Sequence, residues 1–452
     1  MRGRTLAFEV AFQNFRGFHH QKFSSVRPIT ILVGENSAGK TSFLAGVKYL
    51  LDFVSTNKEP DFNADPFQLG TFDQISHFRG GRGGRARSFS LVLRQTLVLR
   101  KSRRSETSGR FEVTLTLSFS SADSNAALSS VKIESNGKAI EATSTPEGLR
   151  ISFVSKRNER FLLDEPSSLP PVTRFELARY WPFLIRDIRY RIGRRETAQA
   201  DFVRDDIERS ISELSDLADA ITMRSTPVGD ATSAIRTKPH RTYTPGTESE
   251  DGEGSHVPYE IARLYRSRNR NEEDWNELKT AIEKFGQQSE MFREFHVKSF
   301  GQTASDPFQL QFSNDGPRMN LMDLGYGTSQ VLPILYGVER LKRRNYYLVQ
   351  QPEVHLHPKA QAALGQYFVE AHAKRGINFI IETHSDYILD RIRMAVARNE
   401  IDSEDISLLF FRRNRLDNAI EEIGIDENGD PVSPPEEYRS FFRDEQLRSL
   451  GL

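Results

Sequence analysis

Apolar residues along the chain fall into three patterns, each of which predicts a different element. Short unbroken apolar runs bounded by polar turns read as strands buried on both faces: Pro28-Ile29-Thr30-Ile31-Leu32-Val33, Tyr346-Tyr347-Leu348-Val349 and Asn378-Phe379-Ile380-Ile381. Each gives way to apolar residues at helical spacing, over residues 42–51, 359–374 and 388–397, and residues 406–411 add a further strand. Strands alternating with helices at both ends of the chain predict an α/β sheet.

The second pattern is strict alternation. Residues 7–18 suggest a strand entering a turn, and strand-like runs at 88–93, 96–99 and 110–118 suggest an antiparallel sheet continuing to about Phe153. The third is amphipathic. Phe202, Ile207, Ile211, Leu214 and Leu217 recur near helical spacing within residues 201–223, and helical character returns at 259–266 and 273–285. Residues 308–312 alternate as a short strand, and residues 225–255, rich in Thr, Ser, Gly, Pro and charge, read as partly mobile. The organisation predicted is a first half-domain at 1–155, a mainly helical insertion at 156–300, a second half at 301–412 and a tail at 413–452.

Composition narrows this picture. The 452 residues include no cysteine, which excludes a disulfide framework, a thiolate metal site and a cysteine nucleophile. No apolar run is long enough to span a bilayer and the N-terminus lacks a signal-peptide core, so a cytoplasmic location and no membrane contact are expected. Lys plus Arg and Asp plus Glu are both 62, so contact with nucleic acid must come from a local patch. The basic residues 79–110 supply one, read either as a DNA- or RNA-facing patch or as a sheet edge protected by charge. Residues 175–195 alternate aromatics with arginines and read as a packed amphipathic segment.

The chemistry is concentrated in Gly34-Glu35-Asn36-Ser37-Ala38-Gly39-Lys40-Thr41, which fits the phosphate-loop pattern G-x-x-x-x-G-K-[ST]. A strand leads in and a helix leads out, so backbone N–H groups and the positive end of a helix surround a polyphosphate. Lys40 is expected at the β- and γ-phosphates, and Thr41 on Mg²⁺. The polar loop at 61–78 offers Gln68 and Gln74 as groups that could touch Mg²⁺ or an attacking water, against the plainer reading of solvated amides. Residues 321–335 form a glycine-rich turn opening a second helix, a further place where a helix N-terminus can face phosphate. His355 and His357, two apart with no nearby thiolate, are a weak metal pattern.

The phosphate loop, Gly325-Tyr326-Gly327-Thr328-Ser329-Gln330, a strand ending in Gln-Gln-Pro-Glu and a strand ending in Glu-Thr-His-Ser occur in that order. The order resembles the ABC-type ATPase heads of the SMC and OLD kind, over about residues 1–80 and 300–412. Asn14-Phe15-Arg16-Gly17-Phe18 and the run from Pro352 to Gln361 look like the OLD-like soluble branch. The resemblance implies a mixed or parallel sheet with flanking helices, an antiparallel β subdomain and a helical insertion. It implies that Gly34, Asn36, Ser37, Gly39, Lys40, Thr41 and Ser42 hold ATP and Mg²⁺. Gly327, Ser329 and Gln330 become a signature motif that reaches a nucleotide on the other subunit of a dimer or larger homo-oligomer, and His384 becomes a switch histidine. Gln350 and Gln351 stand where the family carries two carboxylates, one for Mg²⁺ and one for the attacking water. An amide cannot act as a base, so Glu353 or Glu382 must substitute, and slow hydrolysis is expected. Gln68 and Gln350 join Thr41 as the expected metal-side residues. The chain has no room for the Toprim domain of OLD nucleases, so the resemblance implies a separate effector, such as a Toprim-like or HNH nuclease, in anti-phage defence. The alternative is an SMC-like ATPase of DNA maintenance that clamps DNA directly.

Overall fold

The structure, a computed structural model, describes residues 7–20, 22–56, 58–81, 83–99, 107–145, 148–156, 160–164, 201–221, 229–245, 250–301, 303, 305–341, 343 and 345–438. The expected segment at 175–195 lies outside these, as do Arg100, Arg103 and Arg104 of the basic patch.

The chain opens with β1 (Phe8–Phe15), β2 (Phe18–His20), β3 (Ser24–Val26) and β4 (Ile29–Gly34), followed by α1 (Lys40–Thr56) and the short α2 (Phe72–Ile75). A meander follows: β5 (Ser88–Leu99), β6 (Gly109–Ala122), β7 (Asn125–Ser135), β8 (Lys138–Thr145), β9 (Gly148–Val154) and β10 (Arg160–Asp164). Next come α3 (Asp201–Asp219), β11 (Gly229–Thr232), α4 (Val257–Arg266), α5 (Glu272–Ser289), β12 (Glu294–Ser299), β13 (Phe308–Ser313) and β14 (Met319–Asn320). The last stretch is α6 (Tyr326–Arg340), β15 (Tyr346–Gln350), α7 (Pro358–Arg375), β16 (Asn378–Glu382), α8 (Asp386–Ala397), β17 (Ile406–Asn414), β18 (Asp417–Ile425) and β19 (Pro431–Val432).

Among the described residues these strands form three sheets. The central one has the order β11-β15-β16-β4-β17-β18-β19, parallel from β11 to β17 and antiparallel through the last two strands. Its middle strands read as unbroken apolar runs because both faces are covered. Leu32, Leu348, Ile380 and Leu409 point into a core shared with α1, α3 and the antiparallel sheet. Ile31, Val349, Ile381 and Leu408 point into a second core built by α4 to α8 and the small sheet β12-β13-β14.

Chain order and spatial order differ at three places. β1 to β3 join the antiparallel sheet, which runs β10-β9-β8-β7-β6-β5-β1-β2 with β3 on β1, so that subdomain begins at the N-terminus and not at residue 88. β11, expected inside a mobile stretch, is the edge strand of the central sheet and pairs in parallel with β15. The expected tail boundary at 412/413 falls within the β17–β18 hairpin, whose register runs from Leu408↔Ile423 to Asn414↔Asp417. The β1–β5 and β11–β15 pairings are distant in sequence and leave no local signature; hydrophobic alternation reports a buried face but not its partner strand.

Candidate functional site

The C-terminal ends of β15, β16, β4 and β17 converge at one edge of the central sheet, and the phosphate loop crosses that edge from β4 into α1. Two glycines are required by the backbone. Gly34 has φ 126° and Gly39 φ 95°, in the region closed to most side chains. A Cβ at Gly34 would lie 2.1 Å from the Phe411 carbonyl oxygen, so strand and loop meet with no room between them.

Lys40 is buried, and its ammonium donates to the carbonyls of Gly34 (2.9 Å) and Glu35 (2.7 Å). Burial lowers its pKa, opposed by Glu382, Glu35 and Glu353. The Thr41 hydroxyl is 2.9 Å from each carboxylate oxygen of Glu382, to which it donates. Glu382 is itself buried, which raises its pKa above the usual carboxylate value despite Thr41 and Lys40. A buried carboxylate beside a threonine hydroxyl at a phosphate loop is a hard-oxygen donor pair of the kind Mg²⁺ takes, so the residues fit that ion. Thr41 and Glu382 would hold it, and it would neutralise phosphate charge there.

Around this pair lies an open cleft of about 460 Å³. Arg16, Lys40, Arg85 and Arg413 line it against the one carboxylate Glu382, together with Ser37, Gly39, Thr41, Ser42, Gln74, His77 and Asn418. Four cations facing one anion make a cleft that attracts a polyanion. Arg16, His77, Arg85, Arg413 and Asn418 are not among the sequence candidates. Arg16 stands in the Asn-Phe-Arg-Gly-Phe run and Arg85 in the glycine-rich basic run, so a signal existed for both. Arg413 and Asn418 arrive through the β17–β18 hairpin, which the sequence pattern does not place. Arg79 and Arg85 also revise the reading of the basic patch. Arg85 lines the cleft and donates to the Ser76 carbonyl, and Arg79 donates to the Asn14 amide oxygen.

Other candidates stand elsewhere. Asn36 is exposed on the crest of the loop. Gln68 is exposed and its amide donates to Asp65, outside the cleft; Gln74, the second glutamine of that loop, lines it. Gln350, expected at the metal, instead turns its amide oxygen to the Ala234 N–H (3.3 Å). The reason is strand order: β16 lies between β15 and β4, so Glu382, the register partner of both Gln350 and Leu32, is the group that reaches Thr41. Gln351 has φ 40° and donates its N–H to the Glu382 carbonyl.

Glu353 folds back onto the turn after β16. One of its oxygens accepts from the His384 N–H (2.7 Å) and the other from the Thr383 hydroxyl (2.8 Å). Burial raises its pKa, and these bonds oppose the rise. The His384 imidazole is held below its usual value by desolvation and by Lys40.

Gly327, Ser329 and Gln330 lie in the first turns of α6, at the same sheet edge but on the opposite face from α1, so one chain does not bring them into the cleft. The Ser329 hydroxyl donates to the Tyr326 carbonyl of its own helix. A Cβ on Gly327 would lie 2.8 Å from the His355 carbonyl oxygen, so α6 sits directly on the turn after β15. His355 packs near Tyr326, with ring centroids 5.8 Å apart, and His357 caps α7 by accepting from the Lys359 N–H.

One family profile, described as "AAA domain, putative AbiEii toxin, Type IV TA system", matches residues 29–390. Among solved structures, the chain is similar to an Smc head domain with an extended coiled coil, bound to the C-terminal domain of ScpA, from Pyrococcus furiosus. The two are 9% identical, with 97% of this chain and 98% of that one covered and a TM-score of 0.43. An SMC head domain from Thermotoga maritima is 10% identical over 92% of this chain and 98% of that one, with a TM-score of 0.39. An Smc head domain with a coiled coil and joint from Pyrococcus yayanosii is 9% identical over 97% and 99%, with a TM-score of 0.42. No curated protein matches the chain.

Proposed function

The chain belongs to this AAA-domain family, an ATPase family, and on that premise we propose that it is a nucleotide-gated switch in which bound ATP, more than its hydrolysis, carries the signal. One observation supports this most: the cleft has the groups for binding and, among the described residues that line it, no carboxylate besides Glu382, which faces Thr41. Lys40, Thr41 and Glu382 suit a triphosphate with Mg²⁺. Gln350 and Gln351 are amides, and both oxygens of Glu353 are engaged by Thr383 and His384. A general base needs an unprotonated, accessible acceptor within reach of the water, and Glu353, held onto the turn after β16 by those two bonds, does not line the cleft.

In this reading two copies close over two nucleotides, with Gly327, Ser329 and Gln330 of each completing the cleft of the other. The placement of α6 supports it: its N-terminus stands at the same sheet edge as the phosphate loop, outside its own cleft. Tyr326 and Met322, 53% and 47% exposed, add apolar surface there. The closed pair would present a surface to a separate cytoplasmic effector protein, such as a nuclease, in anti-phage defence.

Calorimetric titration with Mg·ATP alongside steady-state turnover tests this. Saturable binding lost in Lys40→Ala, with turnover well below the ~1 s⁻¹ lower end of ordinary enzymes, is expected. Lys40-dependent turnover above that rate overturns the switch.

A further inference from the structure

Behind the turn that carries Glu353 lies a cluster of polar atoms that the ATP-binding groups do not use. Arg236 follows β11 and is only 3% exposed. One of its terminal nitrogens donates to the Gln350 carbonyl (2.9 Å), while its Nε and other terminal nitrogen have no partner among the described residues. The Gln350 side-chain nitrogen, also buried, has none either. Burial pushes the Arg236 guanidinium down to about 10, opposed by Tyr347 and Glu353. An arginine held this deep with donors unused is costly, and such groups persist where a second arrangement or a function uses them.

Arg236 also touches the other half of the site. Its backbone carbonyl faces the Gln330 side-chain nitrogen of α6 at 3.5 Å, and α6 rests on the turn after β15 through Gly327 and His355. The same residue therefore holds the end of β15 with its side chain and the start of α6 with its backbone. Glu353, bonded to Thr383 and His384, stands in the turn between Gln350 and His355.

Building on the ATP-switch reading, we propose that Arg236 is a positioning residue that couples the two halves of the site. When nucleotide shifts the turn from Gln350 to Glu353, Arg236 follows with its unused donors and carries the first turns of α6 with it. The signature residues are then set for the second copy only in a loaded subunit.

Hydrogen exchange of peptides covering residues 322–332, with and without Mg·ATP, tests this in wild type, Arg236→Gln and Arg236→Lys, with ATP affinity measured on the same samples. Wild type should change protection there on binding ATP. Arg236→Gln should bind ATP within about threefold of wild type and lose the change, and Arg236→Lys should recover part of it, since a lysine keeps the charge and donors on one nitrogen. Wild type that fails to bind ATP sinks the switch reading itself. Wild type that binds ATP without a change at 322–332 overturns the coupling alone, as does an equal change in Arg236→Gln. Loss of ATP binding or of folding in Arg236→Gln, with Arg236→Lys responding no better than an unliganded chain, makes Arg236 a structural residue and also overturns it.

Discussion

Glu382 shows how a single residue's role depends on its neighbours. Its raised pKa means the fold favours the neutral acid. That contribution to stability is present below the unfolded value of 4.5 and is lost as pH rises through the folded value, so the ionised carboxylate is a buried charge that works against the apo fold. Glu382→Gln removes that charge while keeping an acceptor for Thr41. Its apo melting temperature should be no lower than wild type, and its affinity for Mg·ATP should fall by about tenfold or more. A thermal melt with and without Mg·ATP reads both; an undiminished ligand-induced shift would remove Glu382 from the metal side. The sequence places Lys40 and Thr41 by motif, since the loop is a local structure fixed by nearby glycines. It assigns the metal side to Gln350 because linear order does not reveal that β16 lies between β15 and β4. The same limit hid Arg236, whose importance comes from what packs around it.

At the scale of elements, the β17–β18 hairpin is the part of the site least visible in the sequence. Its backbone is tied to the phosphate loop twice, Glu35 N–H donating to the Phe411 carbonyl (3.0 Å) and Arg413 N–H to the Glu35 carboxylate (3.0 Å), and once to the β1–β2 turn, Asn418 N–H donating to the Gly17 carbonyl (2.7 Å). The Asn418 amide fills the space where a Cβ on Gly39 would fall, 2.3 Å away. Gly39→Ala should therefore destabilise by about 1–3 kcal/mol, from its positive φ together with this clash. Asn418→Ala in the same chain should return part of the loss, because it removes the clash with the amide and leaves the close approach to Phe18 (2.9 Å) and the φ strain. Denaturant midpoints of the two single variants and the double variant give the coupling, and strict additivity would mean that Asn418 does not bear on the loop. The helices and strands around the site were legible: α7, predicted over 359–374, spans Pro358–Arg375, and β5 joins two predicted runs into one strand, Ser88–Leu99. Periodicity finds such elements because each has one buried face. It does not find a hairpin whose value lies in what its tip covers.

The whole molecule is a central sheet with a core on each face, and the two ends of the chain build the edge that carries the cleft. The α1 face holds Lys40 and Thr41, and the opposite face holds the first turns of α6, so one chain keeps the phosphate-loop cleft apart from Gly327, Ser329 and Gln330. No helix among the described residues is long and apolar enough to cross a membrane. The general α/β class was readable because buried parallel strands leave continuous apolar runs. The extent of the antiparallel sheet was not, because β1 joins it by pairing with β5 far along the chain, as in Glu9↔Arg94, and β2 and β3 attach through β1. The most direct test of the account is particle mass in solution, measured for wild type and Lys40→Ala with and without Mg·ATP. A doubling of wild-type mass with Mg·ATP, absent in Lys40→Ala, is the expected result. A wild-type mass that does not respond to Mg·ATP, in a sample shown to bind the nucleotide, would contradict the nucleotide-gated switch.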